Sequence, residues 1–130
     1  MNVALLKKIQ ARILRQPEAF RMDEWNCGTA QCIAGWACSL SKLKWRPAES
    51  LKHVFCLQKG GYVGDVAARL LDLSVVVGAD ELTSESERLF FVKEWPPAFR
   101  RRFERARLRR RKAQIAAERI DHFIATNGAE

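Results

Sequence analysis

Apolar side chains recur every three to four residues from Val3 to Arg15. Leu5, Leu6, Ile9 and Ile13 share one side, which predicts a helix docked on its own domain. Pro17 ends it, because proline disfavours the helical region for the residue before it. Phe20, Met22 and Trp25 then punctuate a polar connection that leads to the turn signal Cys27-Gly28-Thr29. Thr29 is a candidate N-cap for a second helix with Ile33, Trp36, Ala37, Leu40 and Leu43 inward. Gly35 falls inside that helix, where glycine costs up to about 1 kcal/mol relative to alanine, so a compensating close contact is expected.

Pro47 suits the first turn of a short helix through Ala48, Glu49, Ser50 and Leu51, and the run from His53 to Leu57 favours extended structure. Gly60-Gly61 followed by Tyr62-Val63 predicts one small hairpin near Lys52 to Val63. Asp65 is placed to cap a helix with Val66, Ala67, Leu70 and Leu71, and Ser84 one with Leu89, Phe90 and Phe91. Between them Val75-Val76-Val77-Gly78 is apolar but too short to assign. Pro97 opens a helix with Phe99, Phe103 and Ala106 on one face, read as part of an Arg-rich helical segment at 98–112. Ala113, Ala116, Ala117, Ile120, Phe123 and Ile124 then mark a last helix that stops at Asn127-Gly128. The pattern as a whole predicts a mainly α, compact multi-helix single domain over residues 1–130, with one short β-hairpin.

Composition changes this picture little. The 130 residues are 48% hydrophobic and 29% charged, as in ordinary folded domains, and a chain of this size buries about two thirds of its unfolded surface without obligatory disulfides. No apolar run approaches the roughly 20 residues of a bilayer span, so no membrane partner is expected. The first residues lack the continuous apolar region of a secretory signal, and a cytoplasmic location in a bacterial cell or phage-infected host is expected. There Cys27, Cys32, Cys38 and Cys56 stay as thiols, and buried apolar filler is their expected role.

Charge is the informative quantity. Lys and Arg outnumber Asp and Glu by 23 to 15, giving +8, and Arg100, Arg101, Arg102, Arg105, Arg107, Arg109, Arg110, Arg111 and Lys112 face a single acid, Glu104, in their own segment. That segment alone carries the whole excess. With Phe99, Phe103 and Ala106 turned inward, the cations fan over the remaining sides and repel one another. An anionic partner relieves the repulsion, and guanidinium pairs bidentately with phosphate or carboxylate. Nucleic acid is the leading candidate, through salt-sensitive contacts that carry little sequence information. An acidic protein or ribonucleoprotein surface is the other partner class. The competing reading is a solvated face, partly neutralised by Asp80, Glu81, Glu85, Glu87, Glu94 or Glu118 of neighbouring helices.

Two cysteine readings stand beside it. Cys32, about three residues inside a helix beginning after Thr29, would have its thiol pKa lowered by the helix dipole, and with His122 and Asp121 it can be drawn as a hydrolase triad. Asp121 and His122 are adjacent, however, so on a helix they point about 100° apart. Cys27, Cys32, His53 and Cys56 supply three thiolates and an imidazole for tetrahedral zinc, with Cys38 unexplained.

The block Phe20 to Ala37, with Trp25-Asn26-Cys27-Gly28-Thr29-Ala30-Gln31-Cys32-Ile33-Ala34-Gly35-Trp36-Ala37 at its centre, resembles an uncharacterised family of small bacterial and phage proteins. The family is marked by a Trp-x-Cys-Gly-Thr-x-x-Cys-Ile-Ala-Gly-Trp-Ala segment. Similarity continues at Ala67 to Leu73, Arg88-Leu89-Phe90, Trp95-Pro96 and Arg119 to Thr126, loosely covering 16–127. The chain departs from the family pattern in having Gln16-Pro17 in place of His-Pro and in its dense Arg run. The resemblance implies a compact helical domain in a phage or mobile-element setting and no reaction. Three functions follow as expectations: a non-enzymatic module engaging an anionic partner, above all nucleic acid; a phage-encoded inhibitor of a host nucleic-acid or defence machine; and a cysteine-dependent hydrolase.

Overall fold

The stripe Leu5, Leu6, Ile9 and Ile13 is buried on helix α1, Val3–Arg15, where the Leu5 amide donates to the Asn2 side chain at 3.0 Å and so caps the first turn. The computed structural model describes residues 1–49, 51–75 and 83–130, with the backbone alone for 51–53. Among them follow α2 (Ile33–Leu40), β1 (Trp45–Ala48), β2 (Leu51–Leu57), α3 (Val63–Leu71), α4 (Glu85–Phe90), α5 (Pro97–Arg105) and α6 (Arg109–Ala125). This is the expected mainly α single domain with one short hairpin. Ser50, Val76, Val77, Gly78, Asp80 and Glu81, singled out above, lie outside the described residues.

The core forms where α1 meets α6. Ala113, Ala116, Ala117, Ile120 and Phe123 of α6 are buried, and the alanines let the two backbones approach. Gln10 Nε2 consequently reaches the Ala117 carbonyl at 2.9 Å, and Lys7 pairs with Asp121 at the surface. Each fully buried Leu, Ile or Phe side chain contributes about 1.5–3 kcal/mol, so this seam outweighs the polar contacts at its edge. α6 ends as its sequence predicts: the Gly128 amide donates to the Phe123 carbonyl and the Asn127 amide to Ile124, with both residues at positive φ, a Schellman stop. Ser84 caps α4 in a full capping box with Glu87. Arg119 is the one charged side chain buried completely among the described residues. It donates to the Arg88 and Glu130 carbonyl oxygens at 2.9 and 2.8 Å, and burial pushes its pKa down to about 10.

Three local expectations are corrected. α2 begins at Ile33, not after Thr29, because 26–31 already spend their backbone groups on a loop. The Cys27 amide bonds Ala30, Gln31 bridges both Phe20 and Asn26, and Gly28 takes φ +90°. Pro47 lies in β1, antiparallel to β2 with Pro47 opposite Phe55, and opens no helix. A two-stranded ribbon leaves one edge of each strand open, where a residue without an N–H is tolerated. Gly60 and Gly61, at φ +78° and +95°, turn the chain into α3 instead of closing a hairpin. α3 starts at Val63, so Asp65 sits in its first turn and Tyr62 at the cap. The contact expected at Gly35 is present: a β-carbon there would lie 2.0 Å from the Trp25 carbonyl oxygen. No helix among the described residues is long and apolar enough to cross a membrane.

Candidate anion-binding cleft

The Arg-rich segment is not one helix. α5 stops at Arg105, Ala106 and Leu108 take extended dihedrals (ψ 126° and 134°), and α6 starts at Arg109. An unbroken helix would bring residue 110 onto the stripe that runs from 103 and 106 to 113 and 117, which buries an arginine. The break instead leaves Arg110 exposed while Phe103, Ala113 and Ala117 stay inside.

Breaking the segment has an electrostatic consequence. Arg109, Arg110, Arg111 and Lys112 form the first turn of α6, its N-cap Leu108 offers no side-chain acceptor, and no acid lies in that turn. Cations at the positive end of a helix dipole are unfavourable by about 0.3–1 kcal/mol each, and the free amides add to the positive potential. Among the described residues only Arg102 of the nine cations meets a carboxylate, Glu118 at 2.6 Å. Arg100 and Arg109 donate to the neutral carbonyls of Lys93 and Glu18, at 2.9 and 2.5 Å, and Arg111 to Gln114 at 3.3 Å. Of the other acids expected to neutralise the run, Glu85 accepts from the Ser74 amide, Glu87 closes the capping box and Glu94 faces Lys93. Arg101, Arg105, Arg107 and Arg110 make no side-chain hydrogen bond or ion pair among the described residues.

The end of α5 and the start of α6 form one wall of a cleft of about 730 Å³, through Phe103, Glu104, Arg107, Arg109 and Lys112. Residues 20–23, held by the bridge from Phe20 to Gln31, form a second wall, and 91–93 after α4 a third. Lys112 Nζ stands 5.1 Å from the Phe103 ring centre and Lys93 Nζ 5.9 Å from that of Phe91, which itself meets Trp25 edge-on. Arg21 clamps Asp23 with two bonds, 2.8 and 2.5 Å, which holds the carboxyl below its usual range and raises the guanidinium. Net positive charge in the cleft thus comes from Lys93, Arg107, Arg109 and Lys112 against Glu104. Arg21, Lys93 and the apolar lining were not singled out from the sequence as cleft residues. The alternation Phe20-Arg21-Met22-Asp23 is the only local signal they leave.

Among the described residues the cysteine-site side chains engage separate partners. Cys32 is itself the N-cap of α2, its Sγ accepting from the Gly35 amide at 3.4 Å, and it is buried. Desolvation outweighs those amide bonds and pushes the thiol up to about 11, against the lowering expected from the dipole. His122 faces Glu130 at 2.9 Å and Phe99, and Asp121 is occupied by Lys7, so the triad members engage separate partners. Cys56 Sγ lies 3.7 Å from the Arg46 carbonyl and Cys27 Sγ 3.5 Å from the Thr29 hydroxyl, which lowers the Cys27 pKa. The His53 side chain falls outside the described residues, among which no three His, Cys, Asp or Glu side chains converge as for a metal. Cys38 is buried in the core.

No protein-family model, curated protein or solved structure matches this chain.

Proposed function

We propose that the protein is a non-enzymatic binding module that engages nucleic acid through its phosphate backbone, with the corner between α5 and α6 as the contact surface. The observation that carries this reading is the set of cations gathered about an uncapped helix start, of which one, Arg102, meets a carboxylate among the described residues. Among the described residues Glu118 alone of the neighbouring acids pairs with the run, so a solvated face leaves most of its repulsion uncompensated there. Phosphates supply the counter-charge, and arginine supplies the bidentate geometry.

The test is fluorescence anisotropy with labelled single-stranded DNA, duplex DNA and RNA across a salt series. The comparison is wild type against a variant carrying Arg101→Gln, Arg105→Gln and Arg110→Gln. These side chains hold nothing else among the described residues, so their loss leaves the fold intact. Wild-type affinity should fall steeply with salt, and the logarithmic slope should drop by about 2–3 in the variant, one counterion per lost phosphate contact. Absence of binding to all three at low salt overturns the reading in favour of an acidic protein or ribonucleoprotein surface.

A further inference from the structure

The cleft offers more than charge. Phe20 and Phe103 are buried at its base, with half-buried Met22, Phe91 and Val92 beside them, while Arg107 and Arg109 are exposed at its mouth. At about 730 Å³ it falls within the ~300–1,000 Å³ range of pockets that enclose small ligands, and a phosphate alone would leave the apolar base uncovered.

Its two carboxylates also differ. Asp23 is spent on Arg21, whereas Glu104 is exposed, lines the cleft, and has no cation within ion-pair distance among the described residues. An unspent carboxylate beside a phosphate-binding rim is repelled by the polyanion unless the ligand also brings a donor to it. Nucleic acid brings one in the exocyclic amino group of a base. In a duplex that group is paired and the base faces are stacked. An unpaired base exposes both face and edge.

We infer that the cleft receives an unpaired nucleobase of a single strand, its face on the apolar base, its phosphate on Arg107, Arg109 and Lys112, and its amino group donating to Glu104. The inference rests on the phosphate reading above and names the ligand of that surface. Cytosine, whose amino donor matches a carboxylate acceptor, should be preferred over thymine, which presents a carbonyl at the same position.

Three fluorescein-labelled dodecamers with the same number of phosphates separate the contributions: deoxycytidine, deoxythymidine and a fully abasic strand. Wild type should bind the deoxycytidine strand about fivefold more tightly than the deoxythymidine strand, as one hydrogen bond predicts, and about tenfold or more above the abasic strand. Glu104→Gln keeps the shape of an exposed side chain and should bring the two base-bearing strands within about twofold, without weakening the abasic one. Equal binding of the deoxycytidine and deoxythymidine strands by wild type, or abasic binding as tight as either, overturns the inference and leaves phosphate binding standing. No binding of any of these strands also overturns the inference, and the phosphate reading falls with it only if duplex DNA and RNA fail to bind as well.

Discussion

At Gly35 a single hydrogen atom decides whether α2 can meet the loop before it. A β-carbon would fall 2.0 Å from the Trp25 carbonyl oxygen and 3.0 Å from the Gln31 β-carbon, and neither the backbone nor the bridged Gln31 can yield. Gly35→Ala should therefore cost about 3 kcal/mol despite alanine's better helix propensity, read as a lower midpoint in urea denaturation. The need for such a contact was legible, because glycine inside a helical pattern is costly without one; Trp25 as the contact was not, since loop geometry leaves no periodic trace. Cys32 and Cys38 teach a related lesson about competing effects. A free thiol ionises near 9.0, and burial raises Cys32 to about 11 and Cys38 to about 12. Between those values the unfolded chain has released protons that the folded one retains, so the thiols' contribution is intact below pH 9 and is lost as pH rises toward 11 and 12, partly offset above pH 10 by Arg119, whose lowered pKa acts the other way. The loss should reach on the order of 2 kcal/mol for each thiol by pH 11. Denaturation midpoints taken across this range should fall for wild type and fall less for a Cys32→Ser, Cys38→Ala variant.

Elements were legible where their signal is local. The stripes of α1 and α6 and Ser84 as an N-cap need only a few consecutive residues, and each is observed as read, with Glu87 completing a capping box the sequence reading did not name. The ribbon was misplaced because Pro47 suits both a helix start and an open strand edge, and only the partner strand, Leu51–Leu57, decides between them. The division of the Arg segment was hidden for a different reason: 99, 103, 106, 113 and 117 keep helical spacing across the break, so periodicity alone joins what the cost of burying Arg110 separates. The resulting N-terminus of α6 is poorly built for stability, with Leu108 73% exposed at the cap and four cations behind it. Leu108→Asp supplies both an N-cap acceptor and a negative charge at the positive end of the dipole. It should stabilise the protein by about 1–2 kcal/mol, seen as a higher thermal midpoint, and should weaken single-strand binding several-fold in anisotropy. A gain in stability with unchanged binding would exclude the start of α6 from the contact surface.

Across the whole molecule, the cleft joins residues 20–23, 91–93 and 103–112, segments too far apart in sequence for any pattern to link. That distance is why the charge was readable and the apolar base beneath it was not. The net charge of +8 is likewise concentrated: nine cations lie in one stretch of thirteen residues, and among the described residues one of them is paired with an acid. Self-repulsion of this kind opposes the folded state, and mobile counterions relieve it within a Debye length of about 8–10 Å. Adding salt should therefore stabilise the free protein. Raising NaCl from about 20 to about 300 mM should lift the thermal midpoint by about 3 °C, and by less in the variant with Arg101, Arg105 and Arg110 changed to Gln. The same salt range should weaken nucleic-acid binding, because released counterions then have less entropy to gain. These opposite slopes separate a binding surface from an ordinary basic one. If the Gln variant shows the full wild-type midpoint shift, the repulsion does not reside at the α5–α6 corner, and the cations there are too well solvated to seek an anionic partner.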